Sequence, residues 1–386
     1  MKKHNILSIA VLSLGMAFAG CSDAEYSIRE NSVYIADAAS TEKTAVISLE
    51  TAGADVNVTV RLAKALDRQV EVEVATDPSA LQKYNEINST EYLPVPEQYS
   101  GLKGSGSRIT IPAGEIAAVL KIHIDDFNMQ GKRYAVPVAL RNVSEGGVEI
   151  SASQAGFIYL LSKPLITTVP VMKGYSNEAV KIHPNADWNI RTKEWTIESW
   201  VRMSGYSRNN QSIFSNWGNG LTEVFIRFGD ANSPYDYLQV KTLGGQVQTE
   251  RGLTAGAWYH WAFVYNGTTF TIYRNGEKNV QFDPPAPQGP GGTVEFQTLN
   301  LISTGTYFQN ECAMSQIRFW KTARTPTQIK NNMYFEIDPA NPDLIGYWPM
   351  NEATGNTFAD ITGNGSDAVA DPHIVLRRES NVRFDK

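Results

Sequence analysis

Between Trp258 and Lys278 the chain reads Trp-Tyr-His-Trp-Ala-Phe-Val-Tyr-Asn-Gly-Thr-Thr-Phe-Thr-Ile-Tyr-Arg-Asn-Gly-Glu-Lys, a stretch that few folds can accommodate. Its first arm is aromatic and apolar enough for a buried strand. Asn266-Gly267 suits a tight reversal, and Asn275-Gly276 turns the chain back again. The stretch therefore predicts a three-strand antiparallel meander. Successive strand side chains point to opposite faces, so Phe270, Ile272 and Arg274 share one face and Thr269, Thr271 and Tyr273 the other. One face is expected in a core and the other half in water.

At 386 residues, 42% hydrophobic and 19% charged, the chain is long enough for two domains and is globular in composition. A formal net charge of -6, with no cluster of Lys and Arg after Lys3, argues against nucleic acid as a partner. Lys2 and Lys3 precede an apolar run from Ile6 to Phe18, and Ala19-Gly20-Cys21 closes it, so residues 1–20 are expected to be a signal peptide outside the fold. The ending resembles the lipobox of bacterial lipoproteins, which implies lipidation (palmitate among the acyl chains) at Cys21. Ser22 suits the outer membrane, and Asp23 and Glu25 resemble the surface-export signal of Bacteroidota lipoproteins. The implied location is the outer membrane, lipid-anchored and exposed at the cell surface, with residues 21–31 as a tether. No later run approaches the ~20 apolar residues of a membrane-spanning helix. With Cys21 lipidated, Cys312 has no disulfide partner and reads as a small buried hydrophobe.

Residues 32–163 read as short strands. Val56 to Leu62 and Val70 to Val74 alternate strictly, as in a sandwich with one wet face. Leu81, Tyr84 and Ile87, at spacing three, predict a short helix between Pro78 and Asn88. His123, alternating in the run Leu120-Lys-Ile-His-Ile, reads as structural. Tyr92-Leu-Pro, Ile111-Pro-Ala-Gly-Glu, Leu120-Lys-Ile-His-Ile, Lys132-Arg-Tyr-Ala-Val-Pro-Val-Ala-Leu and Phe157-Ile-Tyr-Leu together resemble an N-terminal domain of unknown function (the DUF1735-like family) on Bacteroidota surface lipoproteins. That resemblance implies an immunoglobulin-like β-sandwich acting as a spacer. Residues 164–174, with Pro164 and Pro170, are expected to be a linker.

Residues 175–386 form the second predicted domain. Thr196-Ile-Glu-Ser-Trp-Val, the Trp258 run, Ile272-Tyr-Arg-Asn-Gly, Ile317-Arg-Phe-Trp, Tyr347-Trp-Pro-Met-Asn-Glu and Asp360-Ile-Thr-Gly-Asn-Gly occur in an order that strongly resembles the laminin-G-like, concanavalin-A-like module. The resemblance implies a jelly-roll sandwich, so the whole chain is expected to be all-β. Many members carry an acidic pair where this chain has Ser315-Gln316. Thr325-Pro326 is expected to start a short helix with Ile329 and Met333 facing the core. Trp195, Trp258, Trp261, Phe263, Trp320 and Trp348 are assigned to the core, whereas Trp200 falls opposite the apolar face of its strand.

Chemistry has few footholds. A glycoside hydrolase needs two carboxyls across the scissile bond. The nearest pattern, Glu336-Ile-Asp338, runs into Pro339 and reads as a connecting loop, so no catalytic residues are assigned and the chain is not expected to be an enzyme. Sugar binding needs aromatic faces and a few polar groups in a largely preformed groove. Tyr206, Trp217, Asn219, Asp230, Tyr235 and Tyr237, in two polar loops, are the candidates, and Thr306-Tyr-Phe-Gln-Asn is a third loop of the same kind. Laminin-G-like modules often bind calcium, so Asp360, Asn364 and Asp367 are candidate ligands of a structural Ca ion. The expected function is glycan capture in a polysaccharide-utilisation system, with an outer-membrane glycan transporter complex as a candidate partner. An adhesin or assembly protein is the alternative, and a glycoside hydrolase the second.

Overall fold

A computed structural model describes residues 31–88, 90–104, 106–144, 146–174, 180–182, 190–216, 223–285 and 293–385. Among these residues regular structure is mostly strand, with short 3-10 turns and two α-helices, α1 (Pro78–Asn88) and α2 (Pro326–Asn332). The fold is all-β. Among the described residues, no helix is long and apolar enough to cross a membrane.

The first half is a sandwich of two sheets. One carries strands Ala117–Ile124, Ala54–Leu62, Asn31–Ile35 and Val148–Ile150 in that order. The other runs Thr44–Ser48, Gly156–Ser162, Arg133–Val143, Val70–Thr76 and Ser107–Ile111, with Tyr92–Pro94 added beside Arg133–Val143. The alternating valines meet between them: Val56, Val58 and Val60 face Val70, Val72 and Val74 in one sealed cluster. α1 lies on the outer face of the second sheet, where Leu81 is buried against Ala135, Ile158 and Leu160. Ile87, expected on the same helical face, is 70% exposed, because six residues at 3.6 per turn carry it about 120° around the helix from Leu81. His123 is half exposed on the outer face of the first sheet, with Nδ1 2.8 Å from Asp55 Oδ1.

The second half is a larger sandwich of two eight-stranded sheets. The first sheet contains the expected meander, running from its edge through Glu277–Phe282, Phe270–Arg274 and Trp258–Tyr265, and continues into Trp195–Met203 and Cys312–Trp320. Asn275 and Gly276 turn with φ 54° and 78°, the left-handed backbone that a two-residue hairpin of this hand requires. Ile166–Lys173, expected within a linker, is instead a strand of this sheet, paired with both Cys312–Trp320 and Val375–Arg383. Its prolines suggested a linker, but Pro170 lies just beyond a register shift between Thr167 and Val169, and Val169 and Val171 are buried.

The second sheet runs Gly245–Gln248, Leu238–Thr242, Val224–Phe228, Gln211–Asn216, Leu299–Leu301, Val180–Ile182, Ala368–Ala370 and Thr357–Phe358. Between the sheets Trp195, Ile197, Trp261, Phe263, Phe270 and Ile272 meet Phe214, Ile226, Phe228 and Val240.

The outer face of the first sheet is part wet, as expected of the meander, at Thr269 and Thr271, and is covered where α2 packs on it. α2, capped by Thr325 and Gln328 in a reciprocal box, packs Ile329 on Ala262, Val264 and Tyr273. Trp200 is 2% exposed, stacked on Phe384 at 4.9 Å, and its Nε1 donates to Met333 O at 2.7 Å. Trp258, assigned to the core, sits half-buried on this outer layer with the Arg202 guanidinium 5.0 Å above its ring.

Candidate functional site

The outward face of the second sheet gathers polar groups from three loops. In Val224–Phe228 the side chains alternate, so Val224, Ile226 and Phe228 enter the core and Arg227 points out. Arg227 spreads its fork over three partners: Gln239 Oε1 at 2.8 Å, Asn210 Oδ1 at 2.8 Å and Asp230 Oδ1 at 2.9 Å. Gln239 Nε2 then donates to Asp230 Oδ2 at 2.7 Å, closing a ring of fixed polar atoms. Asp230 N donates to Tyr237 Oη at 2.9 Å, and the Arg251 guanidinium lies 4.4 Å above the Tyr237 ring.

The cluster continues across residues 208–212 into the neighbouring loop. Ser212 N donates to Thr304 Oγ1 at 3.1 Å. Asn310 Oδ1 accepts from Ser207 N, Ser207 Oγ and Gln211 Nε2, each at 3.0 Å, while Gln211 Oε1 accepts from the Gln309 and Asn310 amides. These bonds lock two loops together and hold Tyr307 outward. Tyr307 is 40% exposed, more than any other aromatic side chain among the described residues, and Arg208 lies 5.1 Å from its centroid.

The structure sorts the sequence candidates. Asp230 belongs to the polar ring. Tyr237 adjoins it but is only 2% exposed, sealed beneath Arg251, so neither face is open to a sugar. Tyr206 packs on Phe228 at 5.4 Å, and burial raises its phenol above the usual range. Tyr235 is half-buried and folds against Gly229, where an added Cβ would come within 2.6 Å of the Tyr235 Cβ. Trp217 and Asn219 lie outside the described residues. Arg227, Gln239 and Asn210 were not selected from the sequence. Their only signal there was strand parity, which places Arg227 opposite the apolar residues of Val-Phe-Ile-Arg-Phe.

The candidate calcium loop is built of hydrogen bonds. Asp360 is 7% exposed, and its carboxylate accepts from Tyr347 N, Thr362 N, Thr362 Oγ1 and Ser366 N at 3.1, 3.1, 2.7 and 3.3 Å. Asp367 accepts from Asp360 N at 2.9 Å, and Asn364 Nδ2 donates to Ile345 O at 2.9 Å. Among the described residues, no group of three or more His, Cys, Asp or Glu side chains is arranged to hold a metal ion. Glu336 and Asp338 sit in the irregular segment after α2, with Asp338 3.8 Å from Lys132 of the first sandwich.

A further polar cluster lies under α2 and the turn after it. Glu198 is fully buried, accepts from Trp320 Nε1 at 2.7 Å and stands 3.6 Å from His260 Nε2. Beside it, buried Arg318 donates to Asn332 O at 3.1 Å, to Gln316 Oε1 at 3.2 Å and to Phe335 O. Gln316, one of the two residues that stand where laminin-G-like modules often carry an acidic pair, thus serves the interior. Cys312 is fully buried, and burial raises its thiol far above the usual range.

Comparison with known proteins agrees with this architecture. Residues 174–330 match the model of the concanavalin A-like lectin/glucanases superfamily, and residues 29–147 match that of a family described as an N-terminal domain. A Bacteroides ovatus protein, provisionally described as carbohydrate-binding, superposes with a TM-score of 0.64 at 22% identity, covering 92% of this chain and 99% of that one. A heptameric SAP-like pentraxin from Limulus polyphemus gives a TM-score of 0.37 at 14% identity, covering 56% of this chain and 96% of its own. EndoBT-3987 from Bacteroides thetaiotamicron, solved with a Man5GlcNAc product, gives 0.28 at 20% identity over 34% of this chain and 30% of its own. No curated protein sequence matches the chain. The fold and the matches define a class, an all-β chain of two sandwiches. Its second sandwich carries the concanavalin A-like match, and the B. ovatus protein shares the fold over nearly the full length of both chains.

Proposed function

We propose that this chain is a cell-surface lipoprotein, anchored in the outer membrane through Cys21, that binds carbohydrate on its second sandwich and serves a polysaccharide-utilisation system. The observation that carries the carbohydrate reading is the strip formed by Tyr307, Arg208, Asn210, Arg227 and Asp230. It joins an open aromatic ring to a preorganised set of hydroxyl-reading groups. Sugar rings lie on aromatic faces, and fixed polar atoms pair with their hydroxyls without paying to be ordered first. The likeness to a B. ovatus protein described as carbohydrate-binding supports the same reading. Hydrolysis finds less support: Asp338 is taken up by Lys132, and the acidic-pair position holds Ser315 and Gln316, both buried.

Calorimetric titration against a panel of polysaccharides tests the reading. Tyr307→Ala should weaken binding by about tenfold, an effect at the lower end of the ~1–3 kcal/mol that stacking on an aromatic ring contributes for a nucleic-acid base. Arg227→Ala should weaken it further by releasing Asn210, Asp230 and Gln239 from their fixed positions. Unchanged affinity in both variants would remove the strip from the function. The same titration on Trp217→Ala/Tyr235→Ala assigns the remaining sequence candidates.

A further inference from the structure

The charges around the strip are not balanced. Arg227 is paired with Asp230 at 2.9 Å, and Lys241 with Glu223 at 2.6 Å. Arg208 and Arg251 are exposed and have no carboxylate within ion-pair distance among the described residues, in a chain whose formal net charge is -6. Nearby Asp236 is turned instead to the Gly252 amide at 3.1 Å.

Both guanidiniums are nonetheless held in place. Arg208 lies over the Tyr307 ring at 5.1 Å and Arg251 over the Tyr237 ring at 4.4 Å. Arg251 also donates to the Pro234 carbonyl, and the Asn232 carbonyl is 3.5 Å away. Among the described residues the Arg208 side chain makes no hydrogen bond, so its edge of N–H donors is free. A cation stacked on a ring keeps its orientation while its planar donor edge stays open to a carboxylate or sulfate. The two lie at opposite ends of one hydrogen-bonded strip. From Tyr237, whose Oη meets Asp230 N, it passes through Asp230 and Arg227 to Asn210, two residues from Arg208.

Resting on the carbohydrate reading above, we propose that the strip selects anionic glycans. Arg208 and Arg251 take the carboxylate or sulfate groups of the polymer, while Asn210 and Asp230, held in place by Arg227 and the buried Gln239, pair with its hydroxyls. The chain's formal net charge of -6 disfavours acidic polymers on the surface at large, so the selection falls to the strip.

The test titrates the chain with polygalacturonate (carboxylate), dextran sulfate (sulfate) and neutral dextran, xylan and mannan, at about 50 and about 200 mM salt. At least one acidic polymer should bind about tenfold tighter than any neutral one and weaken at the higher salt. Arg208→Ala and Arg251→Ala should each lower that affinity about tenfold, and Arg208→Lys should recover part of it. Circular dichroism and melting of each variant separate lost binding from lost folding. A preference for polygalacturonate or for dextran sulfate supports the proposal and names the anion. Neutral polymers binding as tightly as acidic ones, with both arginine variants silent and Tyr307→Ala defective, would overturn the charge selection and leave carbohydrate binding standing. Failure of every polymer to bind would overturn both.

Discussion

His260 shows how much one buried side chain can decide. It is 1% exposed, and burial, with the Arg318 charge as a smaller cause, holds its pKa well below the ordinary 6.5. Above about pH 6.5 the imidazole is neutral in both the folded and the unfolded chain and adds no pH dependence. Below it the unfolded chain binds a proton that the folded chain refuses, so stability falls as pH drops, by up to about 1.4 kcal/mol per unit from this residue. Melting temperatures measured from pH 8 to pH 5 should therefore fall more steeply for the native chain than for His260→Gln; parallel curves would remove the residue from that role. Little of this was legible in the sequence. Glu198, Trp200, His260 and Arg318 sit at polar parity in their strands, which ordinarily means water, and only the tertiary cover of α2 and the turn after it makes them interior. Tyr237 misled for a related reason: its loop is polar, but an arginine from another loop closes over it.

Elements were far more readable than their surroundings. The meander, the alternating strands of both sandwiches and the two helices follow from period-2 runs, Asn-Gly turns, the spacing of Leu81, Tyr84 and Ile87, and Thr-Pro capping, all local properties of the chain. Ile166–Lys173 escaped because two prolines outweighed a short apolar alternation, and its partners lie over a hundred residues downstream. The Asp360 loop carries a prediction of its own. Four donors converge on one carboxylate, so Asp360→Ala should lower stability by about 2–4 kcal/mol, read as a shift of the denaturant midpoint. Because those donors already order the loop, adding a chelator should leave the melting temperature unchanged; a fall on chelation would instead assign a calcium ion to Asp360, Asn364 and Asp367.

At the scale of the molecule, the two sandwiches are joined through residues 331–338. Arg133 of the first donates to Asn331 O and, at 2.8 Å, to Asn332 Oδ1, with its guanidinium 5.3 Å from the Phe335 ring and 5.8 Å from Tyr92. Arg318 holds the Asn332 and Phe335 carbonyls of the same turn from the other side. Gly131 packs so closely on the Ile337 carbonyl that an added Cβ would have no room. Beside this contact the modules enclose a cleft of about 600 Å3, lined in part by Phe127, Leu160, Ile166 and Phe335. Arg133→Ala should enlarge the radius of gyration in small-angle scattering while leaving the circular dichroism of the strands unchanged; an unaltered scattering profile would mean the cleft walls alone hold the modules. With Arg133 and Arg318 gripping one turn from opposite sides, the proposed binding strip and the first sandwich move as one body, so a pull on either is passed to the other through residues 331–338.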